Sequence, residues 1–365
     1  MTSYIIRRLL LMIPTLIGVI TITFIISEYV PGGPMDQVRA MLEGKGSTYQ
    51  SGEEVSVAQT NNQKAKHLDP KLEAQLKEAY GLNRSLFERY LRMFVWYDGS
   101  WHGFFLLKFG DSLVYNRTVI ELIKERLPIS MSLGIFSFIL TYLICIILGI
   151  AKAVKNGEHF DTITSALILI GYSIPGFLLA VVLIVYFGPG DSHLANFIPL
   201  DGGLTSKEVA GYALWPWWQK LADYFQHMLA PIICLSLGSF AVLTILTKNS
   251  IIDQMHKIYV TAARARGLSE RRILYKHVLR NAMIPLITGF PSGFLAMFFT
   301  GSLLIEKAFG LNGLGLLSYT SVIERDFPVV MGSLFIFTIL GLVGQLLTDL
   351  AYVVVDPRIS FEGTN

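Results

Sequence analysis

The sequence predicts an all-α integral membrane protein with six membrane-spanning helices and one large extramembrane loop between the first and the second. Three observations carry that prediction. Apolar residues make up 52% of the 365 and charged residues only 16%, with a mean hydropathy of +0.51, whereas soluble domains carry about 25% charged residues. Six stretches, at residues 9–30, 127–151, 162–187, 228–247, 282–305 and 332–355, are apolar over roughly the 20 residues a helix needs to cross a hydrocarbon core. Finally, the basic residues are unevenly placed. The net charge is only +3, yet eight Lys or Arg fall between residues 248 and 280, against Asp253 and Glu270.

The spans follow in order. Arg7 and Arg8 precede the first, which is too long for the apolar core of a signal peptide and ends in "VPGGP" (30–34), a helix stop and turn rather than a cleavage site. Residues 31–126 then form the large loop. Its polar part, 44–66, reads as a mobile segment. Its second part, 69–98, opens on Asp-Pro, spaces Leu72, Leu76 and Tyr80 as a helix does, and meets a stop at Gly81, so a small helical cap is expected. Residues 101–115 read as an interfacial return. Trp215, Trp217, Trp218 and Tyr224, between spans three and four, read as an aromatic belt.

Lys and Arg gather on the cytoplasmic side of short loops. Arg7, Arg8, Lys152, Lys155 and the 248–280 loop therefore share that side, and both termini are expected there. The domain reading is an accessory helix at 1–30, a periplasmic loop at 31–126, a membrane domain at 127–355 and a cytoplasmic tail at 356–365.

Several function classes lack their residues. Cys145 and Cys234 lie in apolar runs without paired-CxxC spacing, no HExxH occurs, and no metal site is expected. No span has a central Asp, Glu, Lys or Arg, since Glu28 and Glu306 stand at span ends; a proton- or sodium-driven carrier would need such groups or broken helices. "EGKGST" (43–48) lacks the spacing of a phosphate-binding loop, so no ATP site is expected on this chain. "GLNGLG" (310–315) reads as a flexible outer gate loop. No nucleic-acid partner is expected.

The basic loop carries the most specific pattern. "TAARARG" (261–267) interleaves small residues with Arg264 and Arg266 and ends on a glycine suited to a helix C′ position. "LSERRILYKHVLRNAMIP" (268–285) restarts a helix, with Ser269 as N-cap and Ile273, Leu274, Val278 and Leu279 at helical spacing. A face of small residues at 261, 262, 263 and 265 lets another protein approach closely.

This stretch resembles the cytoplasmic coupling loop of type I ABC-importer permeases, in which an EAA-x3-G pattern forms the helix that docks on the ATP-hydrolysing subunit. Thr261, Ala262, Ala263 and Gly267 match that spacing, with threonine in place of glutamate. The proline of the general pattern is displaced: Arg280 stands in its place and Pro285 comes later. Both departures resemble the peptide and nickel branch. The resemblance covers nearly the whole chain. "PGGP" (31–34), "FGDSL" (109–113), "LPISMSLG" (127–134), "FTGSLLIEKAFGLNGLG" (299–315), "RDFPVVMG" (325–332) and "DPRISFEG" (356–363) are similar to B-type permeases of dipeptide and oligopeptide importers. The long first loop and the tail are most similar to Yej-type permeases, linked to uptake of peptide-like compounds such as microcin C.

The resemblance implies a type I permease fold in the bacterial inner membrane, with one accessory helix before a core of five. It implies a second permease as heterodimer partner, ABC ATPase domains that bind ATP and Mg, and a periplasmic peptide-binding protein. This chain would then bind no cofactor and catalyse nothing. Thr261, Ala262, Ala263, Arg264, Ala265, Arg266, Gly267, Leu268 and Arg271 would form the docking loop. Ser173, Ser292, Thr300 and Ser302 are candidates for the solute path, each equally readable as a helix-packing or back-bonding residue. A nickel permease of the same branch and an ion-coupled carrier are the alternatives.

Overall fold

A computed structural model describes residues 2–30, 85–94 and 103–355, apart from 113, 116, 189–197, 200–202, 207–208, 210 and 300–301; of residues 2–3, 288, 291–299, 302 and 351–355 it describes the backbone alone. Among the described residues the regular elements are helices, joined by turns and two isolated bridges, 103 to 108 and 111 to 118. They are α1 (Thr2–Tyr29), α2 (Leu86–Arg92), α3 (Val119–Val154), α4 (His159–Ser173), α5 (Gly176–Phe187), α6 (Trp217–Met255), α7 (Ile258–Ala265) and α8 (Glu270–Arg272). A π-helical segment (Ile273–Val278) leads into α9 (Leu279–Phe299), followed by α10 (Ser302–Ala308), α11 (Leu314–Ile323) and α12 (Phe327–Val355).

Among the described residues, four helices are long and apolar enough to cross a membrane: α1, α3, α6 and α12. Helices α4 and α5 make a fifth span if taken together, but they meet at 92°. The sequence reading made residues 162–187 one unbroken span, and this is corrected. Ile174 precedes Pro175 and is extended, with φ −90° and ψ 116°, because the proline ring disfavours helical backbone in the residue before it. Gly176 then brings α5 close against α6: a Cβ there would lie 2.6 Å from the Cys234 carbonyl oxygen. The span expected at 282–305 falls on α9 and α10. The expected helical cap at 69–98 lies mostly outside the described residues, as does the 356–365 tail.

The chain divides into two compact units. In the larger (1–5, 126–317 and 341–365), α4, α5 and α9 all pack on α6. With 39 residues, α6 is about twice as long as a crossing needs. Trp217 and Trp218, expected in an interfacial belt, are exposed in its first turn. One apolar cluster joins Leu133, Ala180, Met228, Ile232, Ile305 and Phe309; a second joins Ala153, Ile251, Val260, Ala263, Ile273 and Val278. Between the clusters α3 and α6 touch through small residues, where a Cβ on Gly149 would lie 2.5 Å from that of Thr247. Both cysteines are buried free thiols.

A buried ionic knot ties three helix ends of this unit. Lys152, only 1% exposed, donates from Nζ to the Asp161 carbonyl (2.8 Å), Thr164 Oγ1 (2.9 Å) and Ser165 Oγ (2.7 Å), and it pairs with Asp161 Oδ1 at 3.0 Å. Lys248 Nζ reaches Asp161 Oδ2 at 2.7 Å, and the Gly157 amide donates to the same oxygen at 3.2 Å. Sequence reading counted Lys152 only as a topology signal.

The smaller unit comprises 6–125 and 318–340. Here α2 begins with a capping box formed by Ser85 and Glu88 and is held to α1 by the Arg89–Glu28 ion pair and by a 2.6 Å bond between Tyr90 Oη and Thr21 Oγ1. Phe104, Phe109 and Phe335 pack edge to face with centroids 5.2–5.6 Å apart. The buried Asp326 carboxylate accepts hydrogen bonds from Ser112 Oγ and from the Val114 amide, the latter at 3.4 Å.

Three substitutions test this packing. Gly149→Ala is expected to cost about 1–3 kcal/mol through overpacking, read as a lower Tm of the detergent-solubilised protein; Gly18→Ala, with nothing within 4 Å of its Cβ, leaves Tm unchanged or slightly raised. Asp161→Asn strands two lysines and is expected to cost about 3–5 kcal/mol, as breaking a buried pair does. An unaltered Tm in Asp161→Asn would show that the knot contributes nothing to stability.

Candidate functional site

The candidate site is the loop from α6 to α9. Helix α7 is short and two-faced. Val260 and Ala263, three residues apart, are 0% and 8% exposed and sit in the second apolar cluster with Ile251 of α6, Ala153 of α3 and Ile273 and Val278 of the π segment. Residues 258, 261, 262 and 265 share the opposite face, at the spacing of one helical stripe, and all four are exposed. Ile258 protrudes most, at 87% exposure. The outer face thus consists of one large apolar side chain beside Thr261, Ala262 and Ala265.

Gly267 closes the helix. The Leu268 amide donates to the Ala263 carbonyl (3.3 Å) and the Gly267 amide to that of Arg264 (2.9 Å), the paired bonds of a Schellman motif. Such a motif needs left-handed backbone at C′, and Gly267 has φ +78° with no atom within 4 Å of an added Cβ. The glycine therefore answers to conformation and not to space. Leu268, half-buried, packs back onto the Ala263 cluster and completes the cap.

Arg264 braces the same turn from outside. Its Nε donates to Glu270 Oε1 at 2.6 Å and its Nη2 to Oε2 at 3.1 Å. This bidentate bond holds the Glu270 carboxyl below its ordinary range. The group's folded value is depressed, so the brace is intact at neutral pH and is lost only as pH falls through that lowered value. Both side chains are exposed, so the brace shapes the loop more than it stabilises it.

Several sequence expectations change here. Ala263 was placed on the outward small-residue face, but it faces the bundle, because a helix seated by Val260 also buries the position three residues on. Arg264, expected among the docking-loop residues, bonds to Glu270 within the loop. Ser269 stands at the N-cap of α8, yet its side chain makes no capping bond. Thr261, Ala262, Ala265, Arg266, Gly267 and Arg271 are exposed on the loop. Sequence reasoning missed Ile258 and Tyr275, the latter 54% exposed on the π segment; the stripe spacing 258, 261, 262, 265 was the signal available for the first.

Of the four path candidates, Ser173 has a described side chain. Ser173 is exposed at the α4–α5 break and donates to the Leu169 carbonyl at 2.9 Å, which is the back-bonding role. The side chains of Ser292, Thr300 and Ser302 lie outside the described residues. Among the described residues no group of three His, Cys, Asp or Glu could hold a metal ion. What the loop offers chemically is a shaped surface, seated on three elements of the bundle.

Residues 145–361, which include this loop, match the family model of the binding-protein-dependent transport system inner membrane component. Over its full length the chain is 46% identical to the inner membrane ABC transporter permease protein YejB of Escherichia coli O157:H7, with 100% of both chains covered. It is also 46% identical to the peptidoglycan transport system permease protein YejB of Agrobacterium fabrum, with 99% of each covered. The dipeptide transport system permease protein DppB of Lactococcus lactis subsp. cremoris is 31% identical, over 98% of this chain and 99% of that one. The exposed stripe of α7 therefore belongs to a transport component and not to an enzyme, and the chain belongs to the binding-protein-dependent transport system inner membrane components, among the permease subunits of ABC transporters.

Proposed function

We propose that this chain is the permease subunit of an ATP-driven importer that carries peptides or peptide-like compounds from the periplasm into the cytoplasm. The observation that carries the reading is the two-faced α7, whose inner face is locked into the bundle while its outer face of Ile258, Thr261, Ala262 and Ala265 is bare. Small side chains let a second protein's backbone come close, and a seated helix passes on whatever displacement that protein imposes. A peptide-like solute is favoured because relatives along the whole chain are named for dipeptide and peptidoglycan transport.

The rest of the assembly follows from that reading. The outer face of α7, with Gly267, Leu268, Arg266 and Arg271 beside it, docks an ABC ATPase domain, which binds the ATP and Mg. A second permease completes a heterodimer, and a periplasmic peptide-binding protein delivers the solute. On this reading the chain crosses the membrane six times, with both termini in the cytoplasm, 31–126 in the periplasm, 356–365 as a cytoplasmic tail and the transport domain at 127–355. Ser173, at the break between α4 and α5, is the path candidate with a described side chain; Ser292, Thr300 and Ser302 complete the set. As the ATPase domains close on ATP, α7 moves with them and α6 tilts, so that access to the path passes from one face to the other.

The test is recovery of partners. The tagged chain, purified from detergent-solubilised native membranes, is expected to bring down a second permease and an ATPase; a chain that comes down alone would refute the importer reading. Ala265→Trp fills the bare face without backbone strain, so it is expected to reduce recovered ATPase at least about tenfold, the equivalent of 1.4 kcal/mol, with Tm unchanged. Gly267→Trp should leave the ATPase attached and uncouple its hydrolysis from uptake. Gly267→Asn, which tolerates left-handed backbone, should keep uptake.

A further inference from the structure

Glu306, in the last turns of α10, is fully buried at 0% exposure. A carboxylate in such a place costs heavily unless hydrogen bonds meet it, and here they do. Ser130 of α3 donates from Oγ to Oε1 at 2.7 Å, and the Leu316 amide of α11 donates to Oε2 at 2.7 Å. The Gly315 amide is also directed to the carboxylate. The Ser130 hydroxyl in turn accepts the Leu314 amide at 2.7 Å. Glu306 thereby accepts from the first turn of α11, as an N-cap would, from a different helix.

The intervening loop is shaped around this group. The Leu311 amide donates to the Glu306 carbonyl at 2.7 Å, and the Gly313 amide to that of Leu311 at 2.9 Å. Gly310 takes φ +68°, and a Cβ on Gly313 would fall inside the Glu306 carboxyl. Phe309, Leu311, Leu314 and Leu317 are each 2% exposed or less. The sequence reading took 310–315 for a flexible gate. Its glycines instead permit one tight conformation, fastened to α3 through Ser130 and Glu306.

We propose that Glu306 is a positioning residue for transport, on the permease reading given above: its carboxylate fastens the 309–313 loop and the first turn of α11 to α3, so that these segments move as one body when the path changes its access. The group touches no solute in this role. It sets which parts move together.

Leu311, 2% exposed, makes a reporter, and the native Cys145 and Cys234 are themselves 0% and 2% exposed. In native membranes holding the whole transporter, Leu311→Cys is expected to react slowly with N-ethylmaleimide. Adding Glu306→Gln should speed labelling about tenfold, the scale set by a lost hydrogen bond to a charged group, and should lower peptide uptake while complex abundance stays constant. Gly313→Ala should do the same, and Glu306→Asp, one methylene shorter, should partly restore slow labelling and uptake in the Gly313→Ala background. Unchanged labelling in Glu306→Gln would overturn the fastening, and faster labelling with full uptake would overturn its role in transport. If Glu306→Gln fails to accumulate, the Gly313→Ala and Glu306→Asp pair decides, its rescue supporting the proposal and its absence sinking it. Labelling reads the loop alone, so its result stands even if no ATPase is recovered and the importer reading fails.

Discussion

Hydrocarbon offers no hydrogen bond to a polar group, and that constraint decides where this chain keeps its charges. Backbone groups are met within helices, which is why helix dominates the described residues. Among the described residues, several buried side-chain charges are met in closed sets. Lys152 and Lys248 share Asp161, Arg89 takes Glu28, Glu306 takes Ser130 and two amides, and Asp326 takes Ser112 and the Val114 amide. Each set joins segments far apart in sequence. Because a half-satisfied set is worse than none, each one fixes the relative placement of its segments more sharply than apolar packing alone, which tolerates adjustment.

The same logic explains why the candidate site sits where the charges are free. Arg266, between α7 and α8, and Arg271, on α8, are exposed, while Arg264 and Glu270 satisfy each other and hold the turn. The loop is therefore rigid in its fold and open on its surface. Docking requires that combination, because a surface that must first be ordered loses part of its binding free energy to that ordering.

Much of this was legible in the sequence because it is periodic or conformational. Apolar length marked α1, α3, α6 and α12, and Gly267 announced its left-handed position at the end of "ARARG". The break at 174–176 was written as "SIPG", but a hydropathy window averages over a single proline. The start of α2 was likewise written as "SLFE", a capping-box signature. Other features were illegible because they depend on contacts distant in sequence. Nothing local distinguishes Lys152 from Lys155, yet one is buried in a knot and the other lies over the Phe160 ring, 5.1 Å from its centroid. Glu306 at a span end looked like a boundary residue, and the glycines of 310–315 looked like freedom, until the carboxylate gave them a common cause.

The two helices that flank the loop are not equivalent mechanical links. Helix α6 runs unbroken to Met255 and hands the chain to α7 across two residues, with Val260 and Ala263 packed against Ile251. On the other side, α9 is reached through six residues of π helix, a geometry rarely sustained beyond one turn and often found where helices accommodate strain. A side-chain bond offsets this in part: Ser250 Oγ donates to the Ala282 carbonyl at 2.7 Å, tying α6 directly to the first turn of α9 beyond the π segment. On the reading proposed above, a push on the outer face of α7 would pass to α6 across that two-residue link and the Val260 and Ala263 packing, and would reach α9 mainly through the α6 contact rather than along the chain. With α4, α5 and α9 all packed on α6, that helix is, on the permease reading proposed above, the member that would distribute a motion at the loop to the bundle.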